Sequence, residues 1–262
     1  MILLALVPLA VGIVAAITAR WAGDRLAPAL ATVLLTGLAL TVSVATGLVL
    51  CLAAFVGASE VVPAPVFRHW SVDELRDTIP MPPAAGLAAG AVAALLIASA
   101  GLHLARVVRR ARRTSAAAVA VPAYSDLAVV QDESIFAYAV PGRHRRIVAS
   151  TAMLTSLPGR QRRALLAHEE AHLRYHHHVY VQLGRLAAAA NPLMRPVSRA
   201  VDACVERWAD AAAAHVVDRV TVAHAVAAAA LARVRMPDGS LAAAHSNVVD
   251  RVRVLLDPPA RR

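Results

Sequence analysis

Three long runs of apolar residues, almost free of charged side chains, dominate the first part of the chain. The runs cover residues 2–18, 30–56 and 83–105, and a transmembrane helix needs roughly 17–25 such residues. The pattern predicts three membrane-spanning helices within residues 1–107, with an outside loop at about 58–82. The first run has no basic residue before it and no convincing cleavage site after it, which favours a retained helix over a signal peptide.

Short runs rich in β-branched and apolar residues follow this region and predict a small sheet. The three expected strands are Leu127–Val130, Ile135–Val140 and Arg146–Ser150. Pro141-Gly142 supplies a turn between the last two strands, which are therefore expected to form a hairpin.

Helical patterns fill the rest of the chain. Pro158 suits the first turn of a helix that continues into a His-rich stretch, and further helices are expected at about 197–215 and 220–235. An apolar segment at about 179–190, which ends before Asn191-Pro192, is short for a full span. This segment predicts a membrane-dipping or buried helix.

The composition supports a membrane protein. Hydrophobic residues make up 58% of the 262 positions and the mean hydropathy is +0.57, which is too apolar for an ordinary soluble domain. The expected fold class is therefore a mainly α membrane protein. Three N-terminal transmembrane helices are followed, over residues 108–262, by a membrane-associated α+β domain with a small β-hairpin or sheet.

Positive charge is concentrated directly after the third apolar run. All 27 basic residues are arginine, the net charge is +10, and five arginines cluster there: Arg106, Arg109, Arg110, Arg112 and Arg113. Short cytoplasmic loops carry an excess of positive charge. We therefore expect a multi-pass protein of the cell membrane with its N-terminus outside and the domain after Arg106 in the cytoplasm. Contact with the bilayer explains these arginines, so no direct nucleic-acid partner is expected.

The segment His168-Glu169-Glu170-Ala171-His172 is an HExxH motif. Histidines four residues apart lie on one face of a helix, where two imidazole nitrogens can bind one metal ion. Catalytic zinc takes three protein ligands and leaves a fourth position for water. The motif therefore predicts one Zn²⁺ per chain, with His168 and His172 as ligands and Glu169 as the general base that accepts a proton from the water.

Glu206 is the best candidate for the third metal ligand. It lies on a predicted helix, and Asp210 follows one turn later on the same face. We expect Asp210 to accept the spare N–H of a ligating histidine and thereby to fix its tautomer and orientation.

The neighbouring run His176–His178 offers competing ligands. His178 stands six residues after His172, the spacing found in metzincins, but Tyr175 occupies the place of the glycine that breaks the helix in that class. Glu206 is therefore preferred over His178. For His176 and His178 we expect a polar helix end.

The region Ile135–Asp210 resembles the integral-membrane gluzincins, especially the BlaR/MecR-type antirepressor peptidases and, more distantly, the HtpX and CAAX prenyl protease group. The matching residues are Phe136-Ala137, Arg146–Ser150, Leu165–His172, His177, Asn191-Pro192-Leu193, and Glu206 with Asp210. The resemblance implies a gluzincin-type zinc site near the cytoplasmic membrane surface, with His177 as a support for a metal ligand. It also implies a strand that binds substrate by edge pairing, here assigned to Phe136, Ala137 and Tyr138.

The resemblance implies a membrane-embedded zinc endopeptidase that cleaves a cytoplasmic or membrane-associated protein, with a transcriptional repressor in a signalling pathway as a candidate substrate. The alternatives are HtpX-like quality control of membrane proteins and a non-catalytic scaffold that keeps zinc for structure. Glu169 argues against the scaffold, because a structural site needs no base beside an open position. The antirepressor sensors add a transmembrane helix and a large extracellular penicillin-binding domain, whereas a short helical tail follows here. Direct β-lactam sensing is not expected.

Overall fold

The computed structural model describes residues 2–61, 81–120, 126–142, 145–234 and 242–256. The chain forms two compact units. One unit contains Met1–Val108 and Val181–Val201, and the other contains Arg109–Tyr180 and Asp202–Arg262. The division of the chain at residues 107 and 108 stays a prediction.

Helices make up most of the described chain, and one three-stranded sheet accompanies them. In chain order the elements are α1 (Ile2–Arg25), α2 (Pro28–Val61), α3 (Pro83–Ala120), β1 (Leu127–Val130), β2 (Ala137–Val140), β3 (Arg146–Ser150), α4 (Thr151–Ser156), α5 (Gly159–Arg174), α6 (His177–Ala190), a 3-10 helix (Pro192–Met194), α7 (Arg195–Val216), α8 (Arg219–Val234) and α9 (Ala242–Leu256). The mainly α fold class with a small sheet is confirmed.

The first three helices are long and apolar enough to cross a membrane. The qualifying segments are Leu6–Arg25, Pro28–Ser59 and Pro83–Arg113, which confirms the three predicted membrane helices. Each helix extends beyond its apolar run; α3 continues through the arginine cluster because arginine and alanine are strong helix formers. The expected outside loop overlaps the end of α2, and its residues 62–80 lie outside the described part of the chain.

Helices α2 and α3 approach each other closely at small residues. A Cβ placed on Gly57 would lie 2.5 Å from the Cα of Gly86, and a Cβ on Gly90 would lie 3.2 Å from the Cβ of Ala54. Small residues let backbones touch, and such packing is a main source of helix association in lipid. The contact of α2 with α3 therefore depends on the absence of side chains at Gly57 and Gly86.

The same unit contains the apolar part of α6. The hydroxyl of Ser43 on α2 donates to the carbonyl of Ala187 at 3.0 Å, and the Asn191 side-chain amide donates to the Thr46 hydroxyl at 3.2 Å. With 14 residues, α6 is about 21 Å long, short of a hydrocarbon core of about 30 Å. These bonds attach the apolar part of α6 to α2, and the membrane-dipping or buried character of this segment stays a prediction.

The second unit holds the sheet, whose strand order is β1-β3-β2. β3 lies in the centre, parallel to β1 and antiparallel to β2, so the expected hairpin is present. The second strand begins at Ala137 rather than at the predicted Ile135. At Phe136 the backbone instead bonds partly to a side chain: its N–H donates to the Ser150 hydroxyl at 3.2 Å.

Two apolar clusters hold α5 in the second unit. Ala164 packs with residues of α7, α8 and α9, among them Ala213 and Leu255. Leu165, the next residue, packs against the sheet at Ala137 and Ala149. Adjacent positions of α5 are thus buried in different directions, which fixes the rotation of the helix about its axis.

We predict that Gly57→Ala destabilises the protein, because the added methyl group would collide with the backbone of α3. The free energy of unfolding should fall by about 1–3 kcal/mol, the usual cost of overpacking, and the thermal midpoint of the detergent-purified protein should fall with it. Gly37→Ala is the matched control, since its added Cβ meets no atom within 4 Å. Equal midpoints for the two variants would contradict the close approach of α2 and α3.

Candidate metal centre

Three side chains on α5 and α7 bring potential metal-ligand atoms together. The Nε2 atoms of His168 and His172 are 3.1 Å apart. The carboxylate of Glu206 places Oε2 3.5 Å from His168 Nε2 and Oε1 3.7 Å from His172 Nε2. Among the described residues, these three form the His/Cys/Asp/Glu group that can hold a metal ion.

The spacing of the three donors fits zinc. Bond lengths of about 2.0–2.1 Å in tetrahedral geometry place neighbouring ligand atoms roughly 3.3 Å apart. The two imidazole nitrogens are 3.1 Å apart, and each has a different Glu206 oxygen at 3.5 or 3.7 Å. Two imidazoles and one carboxylate are also a donor set that catalytic zinc uses. The three residues can therefore supply the ligands of one ion, since one ligand atom from each lies within 4.8 Å of the others.

Helix α5 orients both histidines and Glu169. His168 and Glu169 are buried, whereas Glu170 is exposed, so the two adjacent glutamates have different surroundings. Asp210, one turn after Glu206 on α7, places Oδ1 3.0 Å from Nδ1 of His168. The contact lies at ion-pair distance, although His168 Nδ1 has no hydrogen-bond partner among the described residues. That Asp210 accepts the Nδ1 proton and leaves Nε2 free for a metal stays a prediction.

His177 contacts His172 on the side away from Glu206. Their Nδ1 atoms are 3.0 Å apart, and Trp208 packs on the His177 ring at 4.8 Å between centroids. Burial and the neighbouring His172 lower the pKa of His177 to about 3. The neutral ring can therefore accept the Nδ1 proton of His172, and the supporting role of His177 for a metal ligand stays a prediction.

The helix breaks at Tyr175-His176 without a glycine. His176 has a φ of 54°, a left-handed conformation that histidine adopts more readily than most residues. The absence of glycine at position 175 is thus a weaker argument against His178 than the sequence suggested, because α5 ends here anyway. The turn brings His177 to the site, whereas His176 and His178 are exposed.

Arg251 on α9 is a part of the site that the sequence analysis missed. Its Nε and Nη2 donate to Oδ2 and Oδ1 of Asp210, both at 2.7 Å, and its Nη1 lies 3.0 Å from Oε2 of Glu206. The sequence contains one indication of this position. Arg251 lies four residues before the buried Leu255, so both side chains are on the same face of the helix.

Nearby charges set the protonation of the donors. Burial lowers the pKa of His168, but Asp210 and Glu206 outweigh it and raise that pKa to about 9. Burial and the charge on His168 lower the pKa of His172 to about 4. Burial raises the pKa of Glu206, but His168 and Arg251 outweigh it and keep the carboxylate ionised. Without a metal, His168 is therefore a charged imidazolium at neutral pH, and His172 is a neutral imidazole.

The predicted substrate-binding residues lie on one edge of the sheet. Within the described residues, β2 pairs only with β3. Phe136 directs its backbone N–H and C=O towards Ser150, and hydrogen-bonding groups alternate along an antiparallel strand. Ala137 and Ala139 therefore direct their backbone groups to the open edge, and the Tyr138 side chain is 45% exposed.

The comparisons with known proteins agree with a metallopeptidase. Residues 102–188 match the model of Peptidase family M48, about a third of the chain. The match includes the HExxH segment and β1–β3 and ends before Glu206. No curated protein and no solved structure matches the chain significantly. The metallopeptidase resemblance is thus supported, and the BlaR/MecR-type relationship stays a prediction.

Proposed function

We propose that this protein is a membrane-embedded, zinc-dependent endopeptidase that cleaves a cytoplasmic or membrane-associated protein. The observation that carries the proposal is the convergence of His168, His172 and Glu206. The two imidazole Nε2 atoms are 3.1 Å apart, and the two carboxylate oxygens lie 3.5 and 3.7 Å from them. Glu169 follows His168 in the sequence and is buried. The family match over residues 102–188 supports the same reaction class.

Each residue of the site has a defined task in peptide hydrolysis. His168, His172 and Glu206 would hold the zinc, and bound zinc polarises a carbonyl and lowers the pKa of water to about 7. Glu169 accepts the proton of the attacking water and then gives it to the leaving amine. Asp210 and His177 hold the two ligating imidazoles with Nε2 towards the ion.

The substrate would bind as an added strand on β2. Ala137 and Ala139 offer backbone N–H and C=O groups at the open edge, and an extended peptide can pair with such an edge. Leu165 packs against the sheet at Ala137, and Glu169 follows Leu165 by one turn of α5. A peptide on this edge would therefore run past the face of α5 that carries the base.

The arginines that follow the third apolar run, near the end of α3, support a cytoplasmic site. Arg109 and Arg110 are exposed on α3, and such residues favour the cytoplasmic side of the bilayer. A soluble or membrane-anchored cytoplasmic protein would then reach the edge of β2. A transcriptional repressor as the substrate stays a prediction.

Glu169→Gln should abolish proteolysis without removing the metal. Loss of a general base typically costs 10²–10⁴-fold in rate, and the amide cannot accept the water proton. We expect kcat on an unfolded reporter protein to fall by this factor while metal analysis still finds about one zinc per chain. Glu170→Gln, at the exposed neighbouring position, is the control and should keep full activity. Retained proteolysis in Glu169→Gln would rule out this base.

Glu206→Gln should weaken zinc binding, because a neutral amide is a poor ligand for the ion. We expect the zinc content after dialysis against a weak chelator to fall well below that of the wild type. His178→Ala should keep its zinc, since His178 lies outside the donor triangle. Unchanged zinc content in Glu206→Gln, with loss of zinc in His178→Ala, would indicate that the third ligand lies in the His176–His178 run.

Zinc binding should release about one proton at pH 6. His168 has a pKa of about 9 and His172 a pKa of about 4, so between these values only His168 must lose a proton. Zinc affinity should rise about tenfold per pH unit between about pH 4 and pH 7, below the pKa of a zinc-bound water. Calorimetry in two buffers of different ionisation enthalpy measures the proton, and its absence at pH 6 would contradict the protonated His168.

A further inference from the structure

Helix α9 packs mainly against α8, and its residue Leu255 belongs to a buried cluster that also includes residues of α5 and α7. Leu255 is buried with Ala164 of α5 and Ala213 of α7, and Val252 packs on the same cluster. Ala164 precedes His168 by one helical turn, so the cluster that contains Leu255 lies on the face of α5 that bears this predicted ligand. Arg251 precedes Leu255 by one turn and therefore points along the same face of α9 towards the site.

The guanidinium of Arg251 is committed to two carboxylates that lie one turn apart on α7. Nε and Nη2 form a two-pronged contact with Asp210 at 2.7 Å each, and Nη1 is 3.0 Å from Glu206. The side chain is 13% exposed and that of Asp210 is 4% exposed. Only the planar guanidinium offers three nitrogens in a fixed fork, which a lysine ammonium cannot reproduce.

These contacts continue to the ligand atoms. Oδ1 of Asp210 accepts a hydrogen bond from Nη2 of Arg251. The same oxygen lies 3.0 Å from Nδ1 of His168. Glu206 has two oxygens with several lone pairs, so it can face Arg251 and a metal at the same time. One cation thus restrains the orientation of two of the three predicted ligands.

We propose that Arg251 is a positioning residue of the metal centre, which orders Glu206 directly and His168 through Asp210, so that a complete zinc site requires α9 in place. This inference rests on the proposed zinc peptidase. It adds that the last described helix is part of the catalytic apparatus, although it carries no metal ligand and no general base.

The test compares Arg251→Gln, Arg251→Lys and the control Arg253→Gln in the full chain purified in detergent. Arg253 lies on the same helix with its side chain 72% exposed. Zinc affinity of the metal-free protein is measured by chelator competition. Cobalt(II) absorption reports ligand geometry independently of activity. We expect Arg251→Gln to bind zinc 10–100-fold more weakly with an altered cobalt spectrum, Arg251→Lys to recover part of the affinity, and Arg253→Gln to stay within about twofold of the wild type.

A double-mutant cycle with Asp210→Asn tests the path to His168. If Arg251 acts through Asp210, the loss of zinc affinity in the double variant should be smaller than the product of the two single losses. Multiplicative losses would overturn this path. Wild-type affinity and an unchanged cobalt spectrum in Arg251→Gln would overturn the positioning role as a whole.

Folding is checked by circular dichroism and gel filtration. If Arg251→Gln does not fold, the zinc affinity of Arg251→Lys is compared with that of Arg253→Gln. A zinc affinity at least threefold lower in Arg251→Lys supports the positioning role, and equal affinities overturn it. The wild-type arm separates this proposal from the proposed function. A wild-type chain that binds no zinc defeats both, whereas a zinc-binding, proteolytic wild type with an unaffected Arg251→Gln defeats only the positioning role.

Discussion

The metal centre depends on keeping two carboxylates ionised inside a packed helical unit. Burial of an unpaired carboxylate is costly, and a buried charge persists only when it is paired and hydrogen-bonded. Glu206 and Asp210 face His168 on one side and Arg251 on the other. The two cations lower the pKa of both acids, so that Glu206 remains a charged donor. When a metal replaces the His168 proton, Arg251 keeps its charge because guanidinium does not titrate near neutral pH.

Much of the site could be predicted because helical periodicity governs it. His168 and His172 share a face of α5, and Glu206 and Asp210 share a face of α7, since four residues make about one turn. The first residue of each pair contacts both residues of the other pair. His168 lies near Glu206 and Asp210, and Glu206 lies near His168 and His172. The three membrane helices were equally predictable, because lipid requires long apolar segments with internal hydrogen bonds.

The remaining features depend on tertiary contacts that no local spacing encodes. Arg251 lies 41 positions after Asp210, and no pattern in the intervening sequence predicts that Arg251 on α9 contacts Asp210 on α7. The choice of His177 over its two neighbours follows from the positive φ of His176, a conformation that a histidine permits but does not require. The central position of β3 depends on a parallel pairing with β1, which the turn at Pro141 does not indicate.

The rotation of α5 joins the core to the chemistry. Ala164 and Leu165 are buried in two different clusters, and each precedes a functional residue by one turn: Ala164 precedes His168, and Leu165 precedes Glu169. The helix cannot rotate to move the ligand without displacing Leu165 from the sheet, since both are fixed to one rigid backbone. The apolar residues that stabilise α5 therefore also set the angle between the predicted metal ligand and the predicted base, so packing determines the geometry of the site in this segment.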